Sequence, residues 1–227
     1  MTAADSEVAG AALLPLVAIM DRLRTECPWD ATQTHETLAR YLVEETYEAL
    51  EALERSDFAA LRDELGDVLL QVLFHSRIAA ERTDGTGFTI DDVAESIAAK
   101  LVRRHPHVFS DVAVSGADEV KQNWDAIKAA ERAEAGDGAV SALAGVPLGQ
   151  PALSLAFQLL GRAAQAGVPR DLADLTEHGS EVTDIGVALF ALTARARAAG
   201  VDPELELRQA ARIFSDRVRE WEQRPQV

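Results

Sequence analysis

The feature that most constrains this chain is a pair of acidic segments whose carboxylates interrupt helical stripes of apolar residues. The stretch Tyr41–Glu54 contains five glutamates and no basic residue. Its apolar residues recur at three- and four-residue spacing, which predicts an amphipathic helix, and Glu45 falls inside that apolar stripe. In the next segment Glu64 interrupts a second stripe, and Asp67 follows one turn later on the same side.

Each predicted helix therefore carries an acid pair at i, i+3, namely Glu45 with Glu48 and Glu64 with Asp67. This spacing places two side chains next to each other, and like charges in that position repel by about 0.2–0.5 kcal/mol per exposed pair. A short connection around Arg55–Phe58 lets the two helices fold back as an antiparallel hairpin, which brings all four acids to one place. A divalent cation is the simplest partner for such a group, and all-oxygen ligands favour Mg²⁺ or Mn²⁺.

The spacing of these acids is also compatible with a role in solubility alone. An acidic helix ordinarily carries its charge on a solvated face, and that role suits each glutamate taken alone. A di-iron bundle needs the Glu-x-x-His spacing, which neither acid pair has. Zinc is disfavoured because the acid pairs include no histidine or cysteine.

Composition favours an all-α fold and narrows the classes of partner. Alanine and leucine dominate, with few β-branched runs, and these residues favour helices. The net charge of −16 argues against nonspecific binding to nucleic acid or to an anionic membrane. No apolar run approaches the roughly 20 residues that span a bilayer, and Met1–Gly10 is too acidic for a signal peptide. A single cysteine, Cys27, fits a reducing compartment, so we expect a cytoplasmic protein.

The acidity is uneven along the 227 residues, which allow one large domain or two small ones. Residues 1–135 contain 26 acids and 13 bases, and the rest contain 12 and 9 (38 − 26 and 22 − 13). Glycine and proline cluster over 135–149, as in a linker. We predict a catalytic helical domain over 1–135, a linker over 136–149 and a second helical domain over 150–227.

Apolar periodicity also predicts helices outside the hairpin, whose second helix should end near Thr83–Gly85. Their approximate ranges are Ala11–Arg24, Asp92–Arg103, Asp118–Glu134, Pro151–Gln165, Glu181–Ala199 and Asp202–Gln223. The expected buried positions of the first and of the Asp92–Arg103 helix are Leu14, Val17, Met20, Leu23, Val93, Ile97 and Leu101. Asp30, Thr32 and Thr34 are alternative N-caps for the acidic helix.

An internal repeat at an offset of 120 residues bears on which half is active. This offset places Glu64-Leu65-Gly66-Asp67 over Asp184-Ile185-Gly186-Val187. Nothing before Asp184 corresponds to the acids of the first hairpin. We therefore predict that the second domain is a degenerate copy that packs and does not catalyse.

Four short blocks, taken together and in order, resemble a known family. They are Cys27-Pro28-Trp29-Asp30, Glu44-Glu45-x-x-Glu48, Glu64-Leu65-Gly66-Asp67 and Arg103-Arg104-His105-Pro106-His107-Val108-Phe109. In combination they resemble the MazG-type nucleoside triphosphate pyrophosphohydrolases. The likeness covers about residues 11–134 closely and the remainder weakly, as a degenerate second domain.

The resemblance implies an all-α homodimer that hydrolyses nucleoside triphosphates to monophosphates and pyrophosphate with Mg²⁺. Matched by motif, the implied metal ligands are Glu45, Glu48, Glu64 and Asp67. The implied catalytic residues are Glu44, an outer acid that positions or deprotonates water, and Lys100, which holds phosphates. The further substrate-binding residues implied are Arg104, Trp124 and Lys128.

The sequence leaves several alternative functions open. Within the same fold, the chain could be an all-α dUTPase or a phosphoribosyl-ATP pyrophosphohydrolase. A different class is a non-catalytic module whose acidic hairpin binds a basic protein, and a plain helical bundle needs no site at all. The sequence contains no glycine-rich Walker loop, which argues against a P-loop NTPase.

Overall fold

The computed structural model describes residues 10–110, 112–134, 141–173, 175 and 183–223. The ordered elements over these residues are helical with no strand, so the predicted all-α class is confirmed. The helices are α1 (Leu13–Glu26), α2 (His35–Glu54), α3 (Phe58–Ala79), α4 (Ile90–Arg104), α5 (Pro106–Phe109), α6 (Ala117–Glu134), α7 (Ala152–Gln165), α8 (Asp184–Ala198) and α9 (Pro203–Glu222). Within these same residues, no helix is both long and apolar enough to cross a membrane.

The chain divides into two compact units, Met1–Ala130 and Glu131–Val227. Part of the predicted linker, residues 135–140, lies outside the described residues. Of the rest of it, residues 141–149, Val146 is buried whereas most of its neighbours are exposed, and directly after it the Gln150 amide donates to Gln158 Oε1 over 2.6 Å. Residues 141–150 therefore belong structurally to the second unit.

The start of α2 is fixed by a capping box. Thr34 is the N-cap: its hydroxyl accepts from the Thr37 N–H, and the Thr34 N–H donates to Thr37 Oγ1 over 2.9 Å. Such reciprocal bonds satisfy donors that a helix start otherwise leaves unpaired. Of the three candidate N-caps, the structure selects Thr34.

The connection between α2 and α3 is a tight three-residue turn, Arg55–Asp57. Ser56 adopts a left-handed conformation with φ of 56°, and its N–H donates to Leu53 O over 3.0 Å. Asp57 Oδ1 then accepts from the N–H groups of Ala59 and Ala60, which caps α3. The predicted hairpin is thus built, although α3 ends at Ala79 rather than near Thr83–Gly85.

The core of the first unit lies where α1, α2 and α3 meet. Its fully buried apolar members are Met20, Leu38, Leu73 and Phe74. Each buried side chain of this size contributes about 1.5–3 kcal/mol relative to exposure. Trp29 packs against this core in a T-shaped arrangement with Phe74, and the two ring centroids are 6.5 Å apart. Trp29 itself is half exposed.

Several predicted core positions are wrong. Leu14 is 77% exposed and Leu23 is 38% exposed, and in α4 the apolar residues Ile97 and Leu101 are 46% and 47% exposed. Periodicity identifies the apolar side of a helix correctly, but burial also requires a neighbouring element. In α1 and in α4, the neighbouring elements of the chain cover only part of the apolar stripe.

Arg24 ties the end of α1 to the rest of the unit. Its guanidinium donates two bonds of 2.8 Å to the Glu81 carboxylate and another of 3.0 Å to Gln33 O. The side chain of Arg24 is 10% exposed and that of Glu81 is 40% exposed, so water reaches this pair from the Glu81 side. The bond from Arg24 lowers the pKa of Glu81 and holds the pair ionised.

A histidine pair joins the first turn of α2 to α3. His35 Nδ1 lies 2.8 Å from His75 Nδ1, and the rings are parallel within 3° with centroids 5.1 Å apart. This separation is that of two imidazoles bonded edge to edge in one plane. One ring must donate and the other accept, because two protonated Nδ1 atoms would repel. His75 Nε2 is buried without a hydrogen-bond partner among the described residues.

This pair predicts a loss of stability in acid. Burial and the nearby His35 lower the pKa of His75 below its ordinary 6.5. His75 therefore binds a proton more readily in the unfolded chain than in the folded protein. Its contribution to the free energy of unfolding is full above about pH 6.5 and declines as the pH falls toward the pKa of His75 in the folded protein. Thermal unfolding by circular dichroism between pH 8 and 5 should show a smaller decline for His75→Gln than for the wild type. His107→Gln is the control, and an identical decline in His75→Gln would contradict this role.

The second unit is built from α7, α8 and α9. Asp202 caps α9, with Pro203 at its first position, as predicted. The Arg197 guanidinium lies over the Phe157 ring at 5.2 Å and against the bare Cα of Gly161. Any larger residue at 161 would meet this guanidinium at 2.8 Å, so the glycine permits close contact between α7 and α8.

Candidate functional site

Three carboxylates converge on one side of the α2–α3 hairpin. Glu45 and Glu48 project from α2 and Glu64 from α3, and one carboxylate oxygen from each lies within 4.8 Å of the other two. Glu45 and Glu64 are half-buried, whereas Glu48 is exposed. The i, i+3 spacing places Glu45 beside Glu48 on α2, and the packing of α3 along α2 brings Glu64 to them. We call these three residues the carboxylate cluster.

The electrostatics of the cluster are unfavourable in the absence of a cation. Burial raises the pKa of Glu45, and the neighbouring charges of Asp67, Glu48, Glu44 and Glu64 raise it further. Burial likewise raises the pKa of Glu64, followed by the charges of Glu48 and Asp67 and a carboxyl hydrogen bond with Glu48. Every charged neighbour that shifts these two pKa values is itself an acid. The cluster therefore favours protons or another positive charge.

Asp67 and Glu44 lie around this cluster. Both side chains are exposed, and neither belongs to the group of three mutually close oxygens. Their charges nevertheless act on Glu45. The four predicted ligands are thus arranged as three converging carboxylates with Asp67 at the edge.

The donor set fits a hard divalent cation. Mg²⁺ holds oxygen ligands at about 2.1 Å, so opposite ligands lie about 4.2 Å apart. The oxygens of the carboxylate cluster all lie within 4.8 Å of one another, so one cation can lie between them with little movement of the side chains. The cluster contains oxygen donors alone, which disfavours metals that prefer nitrogen or sulfur ligands.

The predicted basic and aromatic residues lie on α4 and α6. Lys100 is half-buried on α4 and lines a groove of about 420 Å³. Trp124 and Lys128 share one face of α6, as their spacing predicts, with the Lys128 ammonium 4.4 Å from the indole centroid. The His105 ring contacts the same indole at 5.7 Å. Arg104 is the last residue of α4.

Sequence reasoning missed two features of this unit. His35 and His75 are forty residues apart in the chain, and no spacing rule connects them. Phe88 was also missed, because a single aromatic before a helix start gives no periodic signal. It lines the same groove as Lys100.

The fold and the cluster define an all-α protein in which three carboxylates from one helical hairpin converge. Comparison with known proteins is more specific. Residues 33–109 match the model of the MazG nucleotide pyrophosphohydrolase domain, a segment that contains the whole carboxylate cluster.

Relatives extend the match over most of the chain. An uncharacterized 26.1 kDa protein of Streptomyces cacaoi is 46% identical over 94% of this chain and 84% of its own length. The nucleoside triphosphate pyrophosphohydrolase/pyrophosphatase MazG of Thermotoga maritima is 39% identical over 95% of this chain and 87% of its own. The nucleoside triphosphate pyrophosphohydrolase of Mycobacterium tuberculosis is 43% identical over 96% of this chain, which spans 60% of that relative's length.

The chain belongs to the MazG nucleotide pyrophosphohydrolase family, which confirms the resemblance seen in the four sequence blocks. It is therefore placed among enzymes that hydrolyse phosphoric anhydrides.

Removing one charge from the cluster should stabilise the metal-free protein. We expect Glu45→Gln to raise the melting temperature at pH 7 by about 1–2 °C, because it relieves repulsion of a few tenths of a kcal/mol. Because the pKa of Glu45 is higher in the folded protein than its ordinary value of 4.5, the folded protein binds the proton more tightly. The contribution of Glu45 to the free energy of unfolding is therefore full below pH 4.5 and is lost as the pH rises through its pKa in the folded protein. The gain should therefore disappear near pH 4. Calorimetry in a chelator tests this, and a destabilised Glu45→Gln at pH 7 would contradict the electrostatic account.

Proposed function

We propose that the first helical unit hydrolyses nucleoside triphosphates to nucleoside monophosphates and pyrophosphate with Mg²⁺, for which Mn²⁺ can substitute. The observation that carries this proposal is the convergence of three carboxylates whose charged neighbours are all acids. Supporting it, relatives of nearly the same length include the Thermotoga protein named for this activity.

The carboxylates would hold the metal. Glu45, Glu48 and Glu64 supply the converging oxygens, and Asp67 lies close enough to add its charge. Bound Mg²⁺ would lower the pKa of a coordinated water and neutralise charge on the phosphates. A triphosphate brings additional negative charge to an acidic surface, so its binding without metal should be very weak.

The remaining residues would act on substrate and water. In the hydrolysis, the oxygen of water bonds to one of the two phosphorus atoms that flank the α–β bridging oxygen, and the bond from that phosphorus to the bridge breaks. Glu44, exposed beside the cluster, would accept the proton of the water. Lys100 and Arg104, one turn apart on α4, would bind phosphate oxygens. Lys128 would add a further cation, held in position over the Trp124 ring.

The proposal extends to assembly and cellular role. We propose a homodimer, because the hairpin exposes large apolar side chains that a monomer ordinarily covers, including Val43, Leu53, Phe58 and Leu65. We also propose a cytoplasmic enzyme that removes unwanted nucleotides from the triphosphate pool. Neither nucleic acid nor a membrane is proposed as a partner, given the net charge of −16.

Activity should depend on the carboxylate cluster and on metal. We expect Glu48→Ala to lower pyrophosphate release by about 100-fold or more, because a ligand of the metal is lost. Excess EDTA should abolish release, and Mg²⁺ should restore it. A coupled pyrophosphate assay with each common ribo- and deoxynucleoside triphosphate provides the measurement, and dUTP and phosphoribosyl-ATP in the same panel separate the sister activities.

Glu51→Ala is the matched control for Glu48→Ala. Glu51 lies on the same helix, three residues after Glu48. Its carboxylate forms an ion pair with Arg55 and does not belong to the carboxylate cluster. This variant should retain activity within about two-fold, as expected for an exposed ion pair. Full activity in Glu48→Ala would end the assignment of the cluster.

Ligand binding should also stabilise the fold, which separates the enzyme from an acidic module that binds a basic protein. A nonhydrolysable nucleoside triphosphate at about 100 times its dissociation constant, with Mg²⁺, should add about 2.7 kcal/mol to the free energy of unfolding. Thermal shift measurements with metal alone, nucleotide alone and both together test this. The acidic module instead predicts no shift with metal plus nucleotide, and salt-sensitive association with a basic protein.

A further inference from the structure

The histidine pair at the open end of the α2–α3 hairpin depends on its protonation state. His35 lies in the first turn of α2 and His75 near the end of α3, and both side chains are half-buried. Their Nδ1 atoms are 2.8 Å apart. A contact of this length between two ring nitrogens requires a proton on one of them and a lone pair on the other. The contact can therefore persist only while one Nδ1 remains unprotonated.

The pair lies at the edge of the apolar core. Leu38 follows His35 by three residues and is 1% exposed, and Phe74 directly precedes His75 and is 2% exposed. From Glu64 to His75, α3 advances about 16 Å along its axis. Separation of the two imidazoles would therefore loosen the core at this end of the hairpin, away from the carboxylate cluster.

Two buried atoms indicate which ring donates. His75 Nε2 and Gln71 Oε1 are both shielded from water and lack a hydrogen-bond partner among the described residues. Gln71 precedes His75 by four residues, a spacing that places the two side chains on one face of α3. An amide oxygen is an acceptor, so it favours a neighbouring N–H over a lone pair. In a neutral ring, a proton on His75 Nε2 leaves Nδ1 as the acceptor, and His35 Nδ1 is then the donor.

This arrangement tolerates one additional proton but not two. In the neutral pair His35 Nε2 carries no proton, and a proton added there leaves the bond between the two Nδ1 atoms intact. A second proton must bind at His75 Nδ1, which is the acceptor of that bond. Two N–H groups would then point at each other, and two positive charges would share a half-buried contact. Opening of the pair therefore coincides with uptake of the second proton.

The surroundings of the pair do not offset the second charge. Burial lowers the pKa of His75 and the charge of His35 adds to this lowering, whereas no carboxylate among the described residues counteracts it. The elements packed against α3 are α1, α2 and α4. The charged residues that they and α3 bring to this end of the hairpin are Asp21, Arg24, Glu36, Arg40, Arg77, Glu81, Asp91 and Asp92. Several of these are already paired with one another, as in the bonds from Arg24 and Arg77 to Glu81.

We infer that His35 and His75 form a proton-operated latch, which holds the open end of the hairpin closed until both imidazoles are protonated. The latch is independent of the proposed function, because it requires neither metal nor nucleotide. Its motion is local. The first turns of α2 separate from the last turns of α3, while the turn Arg55–Asp57 and the helix ends next to it stay closed.

Hydrogen exchange measured by mass spectrometry locates this motion. The wild type is compared between about pH 8 and 5, the range in which histidines titrate, and each rate is divided by that of the unfolded peptide at the same pH. Peptides from residues 34–42 and 72–79 should lose protection on acidification, by up to about ten-fold per pH unit for each proton taken up on opening. Peptides from residues 50–62 should keep their protection. An equal loss in all three segments, or no loss in any, would overturn the latch.

Variants test whether the pair causes this loss. His35→Gln and His75→Gln should each remove the pH dependence of protection over residues 34–42. His107→Gln is the matched control, because His105 and His107 are also neighbours at 5.6 Å but their rings are tilted by 56°. It should behave like the wild type. A pH dependence that persists unchanged in both His35→Gln and His75→Gln would overturn the latch.

Nitrogen-15 spectra of the imidazoles test the closed state in the wild type, whether or not the variants fold. At about pH 8, where histidines are neutral, His35 should carry its proton on Nδ1 and His75 on Nε2. The same variants assign the signals. A proton on any other pair of nitrogens would overturn the inference.

Discussion

The packing of α2 against α3 is the interaction on which the rest of the first unit depends. It holds three carboxylates together although their charges repel. The magnitudes explain why this is possible: each exposed like-charge pair costs a few tenths of a kcal/mol, whereas burial of a side chain such as Leu38, Leu73 or Phe74 contributes about 1.5–3 kcal/mol. The apolar core on one side of the hairpin therefore sustains an acidic cluster on the other.

Much of this hairpin could be predicted from local pattern. The apolar stripes define two helices, and i, i+3 spacing places Glu45 beside Glu48 without any tertiary information. Glu64 joins them because it interrupts the facing stripe. Local pattern could not choose among Asp30, Thr32 and Thr34 as the cap, since each residue type has the required oxygen, and only the backbone geometry selects Thr34.

What the sequence did not predict depends on contacts between distant segments. Leu14 and Leu101 have the periodicity of core residues but are exposed, because no other element among the described residues covers them. His35 and His75 meet only because the hairpin register brings the first turn of α2 beside the last turns of α3. The repeated sequence is similarly limited: Asp184 begins α8 behind the N-cap Thr183, whereas Glu64 lies well inside α3. Residues that correspond in the repeat thus occupy different helical contexts.

The turn Arg55–Asp57 has a consequence for how such a chain can change over time. If one residue added there shifted the start of α3 by one position along the chain, the faces of α3 would turn by about 100° relative to α2, and Glu64 would move away from its partners even with every acid retained. Substitutions on the helix surfaces leave this phase untouched. The spacing between the two helices is therefore under stricter constraint than the identity of most side chains on them, and insertions should be tolerated between other helices before they are tolerated here.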